Sequence, residues 1–462
     1  MDHLNNISKV YFLGIGGIGM SALARWLTME GKQVAGYDKT ETPLTKQLQK
    51  EGIDINYSDE LSVIPEMYKQ DDVLIIYTPA VPVTSLQYQY FLTKGNKMIK
   101  RAELLGAIAN NYFTVAVSGT HGKTTTSSMV AHILKNAGQN VAAFLGGITQ
   151  NYNTNVLFPD FEKGNIVFVV EADEFDRSFL HLHPDVVIVN ATDPDHLDIY
   201  GTEAAFKQAF VDFVAKIRKG GTLIAKIGSD FAKQPQLKTQ VTFGAPGADY
   251  YVKESHVNEF GSIDVVVNGI TGKKTFELDM PGLHNQNNAL AAYLACEAVG
   301  LSEGEIQSGI ASFKGVKRRF EYHVRSPKLI YIDDYAHHPE EVTNFIKGVK
   351  SVYPSKKLSV VFQPHLFSRT KDFMDAFAEA LSLSDEVFLL DIYPARELPI
   401  AGITSSVLLE KINCSYKKLL SKEDLVDLLM KHDVEVLATL GAGDIDQLIL
   451  PLKKISEAKV GK

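Results

Sequence analysis

Cysteine is nearly absent from this chain, which carries only Cys296 and Cys414, more than a hundred positions apart in 462 residues. Two thiols at that spacing make neither a disulfide framework nor a metal-binding pattern, so a reducing, cytoplasmic setting is expected. Positive charge is also in short supply. Forty-seven Lys and Arg face 55 Asp and Glu, a net charge of -8, and the pI lies near 5.9. Nothing in that balance supplies the basic field that gathers nucleic-acid phosphates, so no nucleic-acid partner is expected. Long apolar runs are missing too: none approaches the roughly 20 residues of a membrane helix, and no membrane insertion is expected. The opening MDHLNNISKVYFLG lacks the basic segment and apolar core of a secretory signal. Fixed-period repeats and low-complexity tracts are absent as well.

What remains is the composition of a globular protein, 45% hydrophobic and 22% charged, with enough apolar material for several cores. At about 150 residues per domain, the length predicts about three. The dominant rhythm is a short apolar run, a Gly- or Asp-rich turn, then a helical pattern. KVYFLG, QVAGYD, VLIIYTP, FTVAVSG, IVFVVEAD, DVVIVNAT, GTLIAK, LIYIDDY, LSVVFQP, EVFLLDIYP and VEVLATLG all read as strands. Several are apolar at nearly every position, as strands buried on both faces of a parallel sheet must be. Helical segments such as MSALARWLTMEG and SSMVAHILKNAG supply the crossovers, and the class is α/β. Breaks near Asn110–Asn111 and near Gly315 divide the chain into 1–110, 111–315 and 316–462. Within the middle unit, Gln240–Leu278 alternates short runs with Gly turns and is expected to form antiparallel hairpins. The last dozen residues read as a frayed helical tail.

The sharpest chemical signal is VAVSGTHGKTTTSSMVAHIL. A buried strand ends at Ser118, a glycine-bracketed loop follows, and an amphipathic helix starts near Thr124. Glycines let backbone N–H groups close around phosphates, and a helix amino end adds favourable partial charge. Lys123 is placed to reach β- and γ-phosphates and the Thr124 hydroxyl to meet magnesium. Val117 stands where the usual eight-residue motif has its first glycine, so the loop is a shortened variant. Carboxylates for a metal follow in NIVFVVEADEFD, as Glu171, Asp173 and Glu174, and hard oxygen donors suit Mg²⁺. NATDPDHLDIYG then places His196 among Asp193, Asp195 and Asp198, after a parallel strand at the ligand-binding edge.

A second glycine loop opens the chain. Gly14, Gly16 and Gly19 lie between a strand and a helix, and Asp38 ends the next strand. By spacing this is a dinucleotide fingerprint with Asp38 on a ribose hydroxyl, which keeps an NAD(P)-dependent oxidoreductase open as a reading. The underlying physics is diphosphate binding at a helix end, which a UDP-sugar satisfies equally.

With these loops in order, the chain resembles the Mur ligase family. The segments that carry the resemblance are GIGGIGM (Gly14–Met20), RAELL (Arg101–Leu105), GTHGKTTT (Gly119–Thr126), EADEFDRSFLHL (Glu171–Leu182), DPDHLDIYG (Asp193–Gly201), HNQNNALAA (His284–Ala292), RRFE (Arg318–Glu321), DDYAHHPEEV (Asp333–Val342) and FQPHLFSRT (Phe362–Thr370). The resemblance implies a Rossmann-like UDP-binding domain, a central P-loop ATPase-like domain with a parallel sheet plus a small antiparallel part, and a C-terminal Rossmann-like α/β domain. It implies ATP and Mg²⁺ as cofactors, UDP-N-acetylmuramate and L-alanine as substrates, and a monomer or weak homodimer. An acid–amino-acid ligase is then expected, acting through an acyl phosphate in peptidoglycan precursor synthesis. Within the family, the alternative adds another amino acid or a preformed peptide to the same sugar nucleotide.

Carried over residue by residue, the resemblance assigns Gly119, Thr120, His121, Gly122, Lys123, Thr124 and Thr125 to ATP, together with Asn285, Asn288, Arg319 and Asp334. Gly14, Gly16, Gly17, Gly19, Asp38 and Arg101 fall to the UDP-sugar, and Thr124, Glu171 and His196 to the metal. His337, His365 and Arg369 fall to the amino acid, with His338 or Asp334 as the base that frees its amine. Without the family, Asn285 or Asn288 reads equally as a helix cap, and Arg318–Arg319 as a solvated turn. DDYAHHP reads as a strand end before a helix with Pro339 in its first turn, favoured by Glu340 and Glu341, and His365 as a structural histidine. Two departures stand out. Phe210 occupies the place of the metal-bridging carbamylated lysine of several relatives, with Lys207 about one helical turn short, so no carbamate is expected. Leu366 stands where many alanine-adding enzymes have arginine.

Overall fold

The computed structural model describes residues 7–193, 197–258, 262–395 and 397–461. Among these residues the strands form three sheets of five, ten and six strands. The first runs in the order Asp54–Asn56, Gln33–Tyr37, Lys9–Leu13, Leu74–Tyr77, Met98–Lys100 and is parallel throughout. The second has a parallel centre in which Phe113–Ser118 lies between Val167–Glu171 and Val186–Val189. The third, between Glu321 and Leu440, is parallel except for its edge strand Glu321–Arg325.

Two expectations from the sequence need correction. Thr239–Gly244 is a parallel strand, paired with Thr222–Lys226 along its length. Only Tyr250–Val257, Ile263–Gly269 and Lys274–Leu278 form the antiparallel extension. Gly turns and short runs do not distinguish a hairpin strand from a parallel strand reached by a crossover. The carboxy-terminal tail is not frayed: Ile449–Val460 is a regular helix with Leu452 and Ser456 buried. Its apolar positions are sparse, but they are spaced to meet Leu425 and Leu437 in one cluster.

The first two units share a core. The chain's one tryptophan, Trp26, sits on the helix Ile18–Met29 of the first unit and is fully buried. Its ring meets Tyr112, Phe144, Phe158, Phe161 and Phe168, with centroids 5.2–6.4 Å away. Its N–H donates to Glu30 Oε1 at 2.7 Å, so the indole's polar end is satisfied as a buried indole requires. One apolar cluster runs from Val10 through Trp26 to Phe168 and Phe213. The third unit keeps its own clusters, one on each face of its sheet.

Trp26→Ala is expected to cost about 3–5 kcal/mol, the range for emptying a large aromatic site, and to loosen the first unit from the second. Denaturant unfolding followed by circular dichroism measures the loss. A cost below about 1 kcal/mol would contradict a shared core.

Burial lowers His132 and His323 from 6.5 to about 4 each. The folded state therefore stays unprotonated where the unfolded chain takes up protons. Stability is complete above about pH 6.5 and falls as pH drops toward 4, by up to about 1.4 kcal/mol per pH unit for each histidine. Thermal midpoints between pH 7 and pH 5 should fall accordingly. His132→Gln, which retains a partner for Tyr152 Oη and Ser312 Oγ, now 2.8 and 3.0 Å away, should flatten the slope.

Candidate active site

The phosphate-type loop is built by its sheet. Val117, the residue in place of the missing glycine, lies inside the strand, pairs with Glu171 and is fully buried. Gly119 has φ +121° and Gly122 φ +77°, backbone regions that side chains adopt at a cost. A methyl on Gly119 would come within 2.7 Å of the Ala191 nitrogen, and one on Gly122 within 2.5 Å of Asn288 Oδ1. The helix Lys123–Asn136 then starts with no side-chain cap, so its first amides are left for an anion.

Lys123 Nζ donates to both oxygens of Glu174, at 2.7 and 2.9 Å, and the Glu174 side chain is wholly buried. Burial alone would lower the ammonium's pKa. The carboxylates of Glu174, Asp173 and Glu171 outweigh it and raise the pKa, so the charge is retained.

Parallel register gathers the neighbouring groups. Val117 pairs with Glu171 and Ser118 with Val189, so Glu171 and Asn190 leave the sheet beside the loop. Glu171 Oε2 accepts the Gly146 amide at 3.0 Å, and the carboxylate also takes the Thr124 hydroxyl. A methyl on Gly146 would lie 2.4 Å from that carboxylate. Burial pushes the Glu171 carboxyl above its ordinary value, against the pull of Lys123; a cation placed here would restore it. Thr124, Glu171 and Asp173 together offer hard oxygen donors of the kind a magnesium ion takes. His196 lies outside the described residues. Phe210 is fully buried against Phe179 and Phe206. Lys207 sits on an exposed helix face, paired with Glu203 at 2.7 Å.

One cleft reaches Glu171 from the first unit, and a second is lined by the loop itself. The one facing the first unit is lined by Gly19, Arg101, Leu105, Gly146, Glu171 and Asp173 among others. Here Gly19 lets the Arg101 guanidinium lie against the helix start, where a methyl would come within 2.6 Å of Nη1. Asp38 turns back into its own glycine loop: Oδ2 accepts the Gly16 amide at 2.7 Å and Oδ1 the Thr40 amide at 3.1 Å. Gly14 takes φ +86°, and Gly17 precedes the helix without a side-chain cap.

The other cleft lies toward the third unit and brings His121, Gly122, Thr125, Asn190, Asn285, Asn288, Arg319 and Asp334 together. Neither asparagine caps its helix, whose start has no side-chain cap. Asn285 donates to the Pro281 carbonyl at 2.8 Å, and Asn288 Oδ1 accepts from Asn190 at 3.4 Å. Asp334 accepts the Phe320 and Ala336 amides at 2.7 and 2.8 Å. Burial pushes it up to about 6, with Arg319 and those amides pulling the other way. Arg318 is no solvated turn: it donates to Asp333 at 3.1 Å and to the Gly441 carbonyl at 2.6 Å.

Beside that cleft stands a group of histidines. His338 precedes Pro339 at the start of the helix Pro339–Val352, and Glu341 accepts its backbone amide at 3.2 Å. His337 meets His365 edge to face at 6.1 Å, and His365 stacks on Tyr393 at 5.7 Å. Burial, then His337 and Arg369, hold His365 down at about 4. Leu366 adopts φ +71° as it turns into the short helix that carries Arg369.

Sequence reasoning gave no role to Asn190 or Glu341 and assigned Glu174 only to the metal. Asn190 is buried and donates to Thr126 Oγ1 at 2.9 Å; an asparagine ending an apolar strand was its only signal. Glu341 reads from sequence as an ordinary first-turn acid, and only the fold brings it to the phosphate loop.

A phosphate loop held between two α/β units, with a half-buried carboxylate at the neighbouring strand end, defines a nucleotide-dependent enzyme of three units. Family models match in chain order: "Mur ligase family, catalytic domain" over residues 9–113, "Mur ligase middle domain" over 117–296 and "Mur ligase, glutamate ligase domain" over 318–443. The chain belongs to the Mur ligase family. It is 48% identical to the UDP-N-acetylmuramate–L-alanine ligase of Cytophaga hutchinsonii, over 100% of this chain and 99% of that protein. It is 46% identical to that of Flavobacterium johnsoniae, over 98% and 99%. The crystal structure of UDP-N-acetylmuramate–alanine ligase from Thermotoga maritima is similar at TM-score 0.78 and 27% identity, over 98% of this chain and 100% of that one. Among the described residues no helix is long and apolar enough to cross a membrane.

Gly122→Ala should cost the loop about 1–2 kcal/mol of left-handed strain and push Asn288 away. Titration with a fluorescent ATP analogue should show at least about a tenfold weaker Kd, as a further contact is lost. Unchanged affinity would exclude this loop as the nucleotide site.

Proposed function

We propose that this chain is the ATP-dependent ligase that joins L-alanine to the lactyl carboxylate of UDP-N-acetylmuramate. The observation that carries the reading is that Glu171, which lines the first cleft, takes the hydroxyl of Thr124 in the loop that lines the second. The first cleft faces Arg101 and the first unit's glycine loop, the second Asn288, Arg319 and Asp334. A triphosphate in the second cleft would have its terminal phosphoryl near Lys123, Thr124 and Glu171, beside an acid held in the first. The names of the full-length relatives support the same substrates. Nothing favours nicotinamide chemistry, since Asp38 already serves its own loop.

A carboxylate does not condense with an amine at neutral pH, because oxide is a very poor leaving group. Transfer of the γ-phosphoryl to the carboxylate oxygen gives an acyl phosphate and ADP. The amine then attacks the acyl carbon, and phosphate leaves through a tetrahedral intermediate. Lys123, held charged by its carboxylate neighbours, and Arg319 supply positive charge to the transferring group. Thr124 and Glu171, with His196, would hold magnesium, which when bound neutralises phosphate charge. Arg101 supplies a guanidinium in the cleft between the glycine loop and Glu171.

The attacking ammonium must first lose a proton. Asp334 spends both oxygens on backbone amides. His337 fits the task better than Asp334, and His338 remains the other candidate beside it. The Nδ1–H of His337 donates to the Tyr335 carbonyl at 3.0 Å, which leaves Nε2 as the acceptor, and burial lowers its pKa so the ring stays neutral. His365 and Arg369 line the same end and would meet the amino acid's carboxylate.

Phosphate release from ATP should require UDP-N-acetylmuramate together with an amino acid, with alanine preferred over glycine and serine. Lys123→Ala should lower kcat by at least about a hundredfold, the scale for removing one transition-state donor. No stimulation by any substrate pair would remove the ligase reading.

A further inference from the structure

The third unit has its own cores, so polar contacts at its boundary matter for how it sits. Lys317 bridges to Ile148 and Asn153 in the linker region, and Arg325 meets Asp279 at 2.9 Å at the outer edge. Inside the nucleotide cleft, His121 Nδ1 of the phosphate loop lies 3.8 Å from Glu341 Oε1. Both residues line that cleft.

Glu341 is tied in three directions. Its Oε2 accepts the backbone amides of His337 and His338 at 3.0 and 3.2 Å and lies 3.4 Å from His337 Nδ1. Its Oε1 faces the loop. The carboxylate that fixes the start of the helix Pro339–Val352 is thus also the one that meets the loop's histidine, and His337 passes the contact on to His365. Burial opposes charge on both partners. Glu341, with Glu340 and Asp193, outweighs it and raises His121. The hydrogen bond with His121, the Arg319 guanidinium and the His337 backbone amide hold Glu341 well below the usual carboxylate range.

We propose that His121 and Glu341 form a latch that closes the third unit over the phosphate loop and ties nucleotide loading to the histidines at the amino-acid end. The latch rests on the ligase reading for its purpose. A loop that rearranges around a triphosphate moves His121, and Glu341 converts that motion into the setting of His337. Closure keeps water from the acyl phosphate until the amine attacks. Both are positioning residues: neither needs to touch the reacting carbon.

The test uses the full chain and three variants. His121→Gln and Glu341→Gln each remove one partner of the contact, and the amide oxygen of Glu341→Gln keeps an acceptor for the helix start. His121→Lys returns a cation. The first readout is ADP formed per amide formed, a ratio that neither weaker nucleotide binding nor a poorly folded fraction moves. It should be near one in the parent and rise about three- to tenfold in both Gln variants, the scale of one lost partly buried charge contact. His121→Lys should return most of the way. Parent-like ratios in both Gln variants overturn the latch.

The second readout needs no chemistry. Small-angle scattering with a non-hydrolysable ATP analogue should show compaction of the parent that both Gln variants lose. No compaction in the parent, or equal compaction in all proteins, removes the latch even if the enzyme is active. Compaction confined to the parent, with no amide formed from any substrate pair, sinks the ligase reading and leaves the latch standing.

Discussion

Parallel pairing decides where strands end, and the site of this protein depends on that constraint. Phe113–Ser118, Val167–Glu171 and Val186–Val189 run side by side in fixed register, so their carboxyl ends must emerge at one edge. The loop carrying Lys123, the Glu171 carboxylate and the Asn190 amide are therefore neighbours, although about seventy positions separate the first from the last. Such edges are where open α/β sheets bind ligands, because helix amino ends and loop amides converge there. The two flanking units place their own groups against that same edge, and neither cleft exists without it.

Charge is concentrated where the sheet excludes water. Lys123 is clamped by a wholly buried Glu174, and Glu171 is raised by burial against the pull of Lys123, the Thr124 hydroxyl and the Gly146 amide. Burying charges is costly unless each is matched. A polyanion with its counter-cation suits both groups at once: the phosphates share the lysine with Glu174, and the metal takes the Glu171 carboxylate. The site is thus set up electrostatically for a charged pair rather than for either alone. The glycines follow from the same crowding. Gly119, Gly122, Gly146 and Gly19 each stand where a methyl would strike a backbone or polar atom.

Much of this was legible in the sequence, for physical reasons. Strands buried on both faces announce themselves by continuous apolar runs, and the loop's Gly-Lys-Thr pattern carries its own chemistry. Asn285, Asn288, Arg319 and Asp334 were marked by resemblance, and the fold draws them to one cleft. What could not be read were relations across the chain. Glu174 was assigned to a metal because strand-end acids serve metals, and only the fold aims it at Lys123. Glu341 looked like a helix-start acid, which it is, but its second partner lies in another unit. Thr239–Gly244 was misread because a strand's sequence does not encode the direction of its neighbour. The closing helix was misread because its burial depends on a cluster assembled from residues far upstream.

The tryptophan cluster also bears on the order in which the chain becomes self-sufficient. The apolar face of Ile18–Met29 is covered by Phe144, Phe158 and Phe168, which leave the ribosome more than a hundred residues later. Until then the nascent first unit presents an uncovered indole to its surroundings, a surface that chaperones recognise and that aggregates form on. The last unit, sealed around its own sheet, carries no such debt. Synthesis is most hazardous in the first third of this protein and safest at its end.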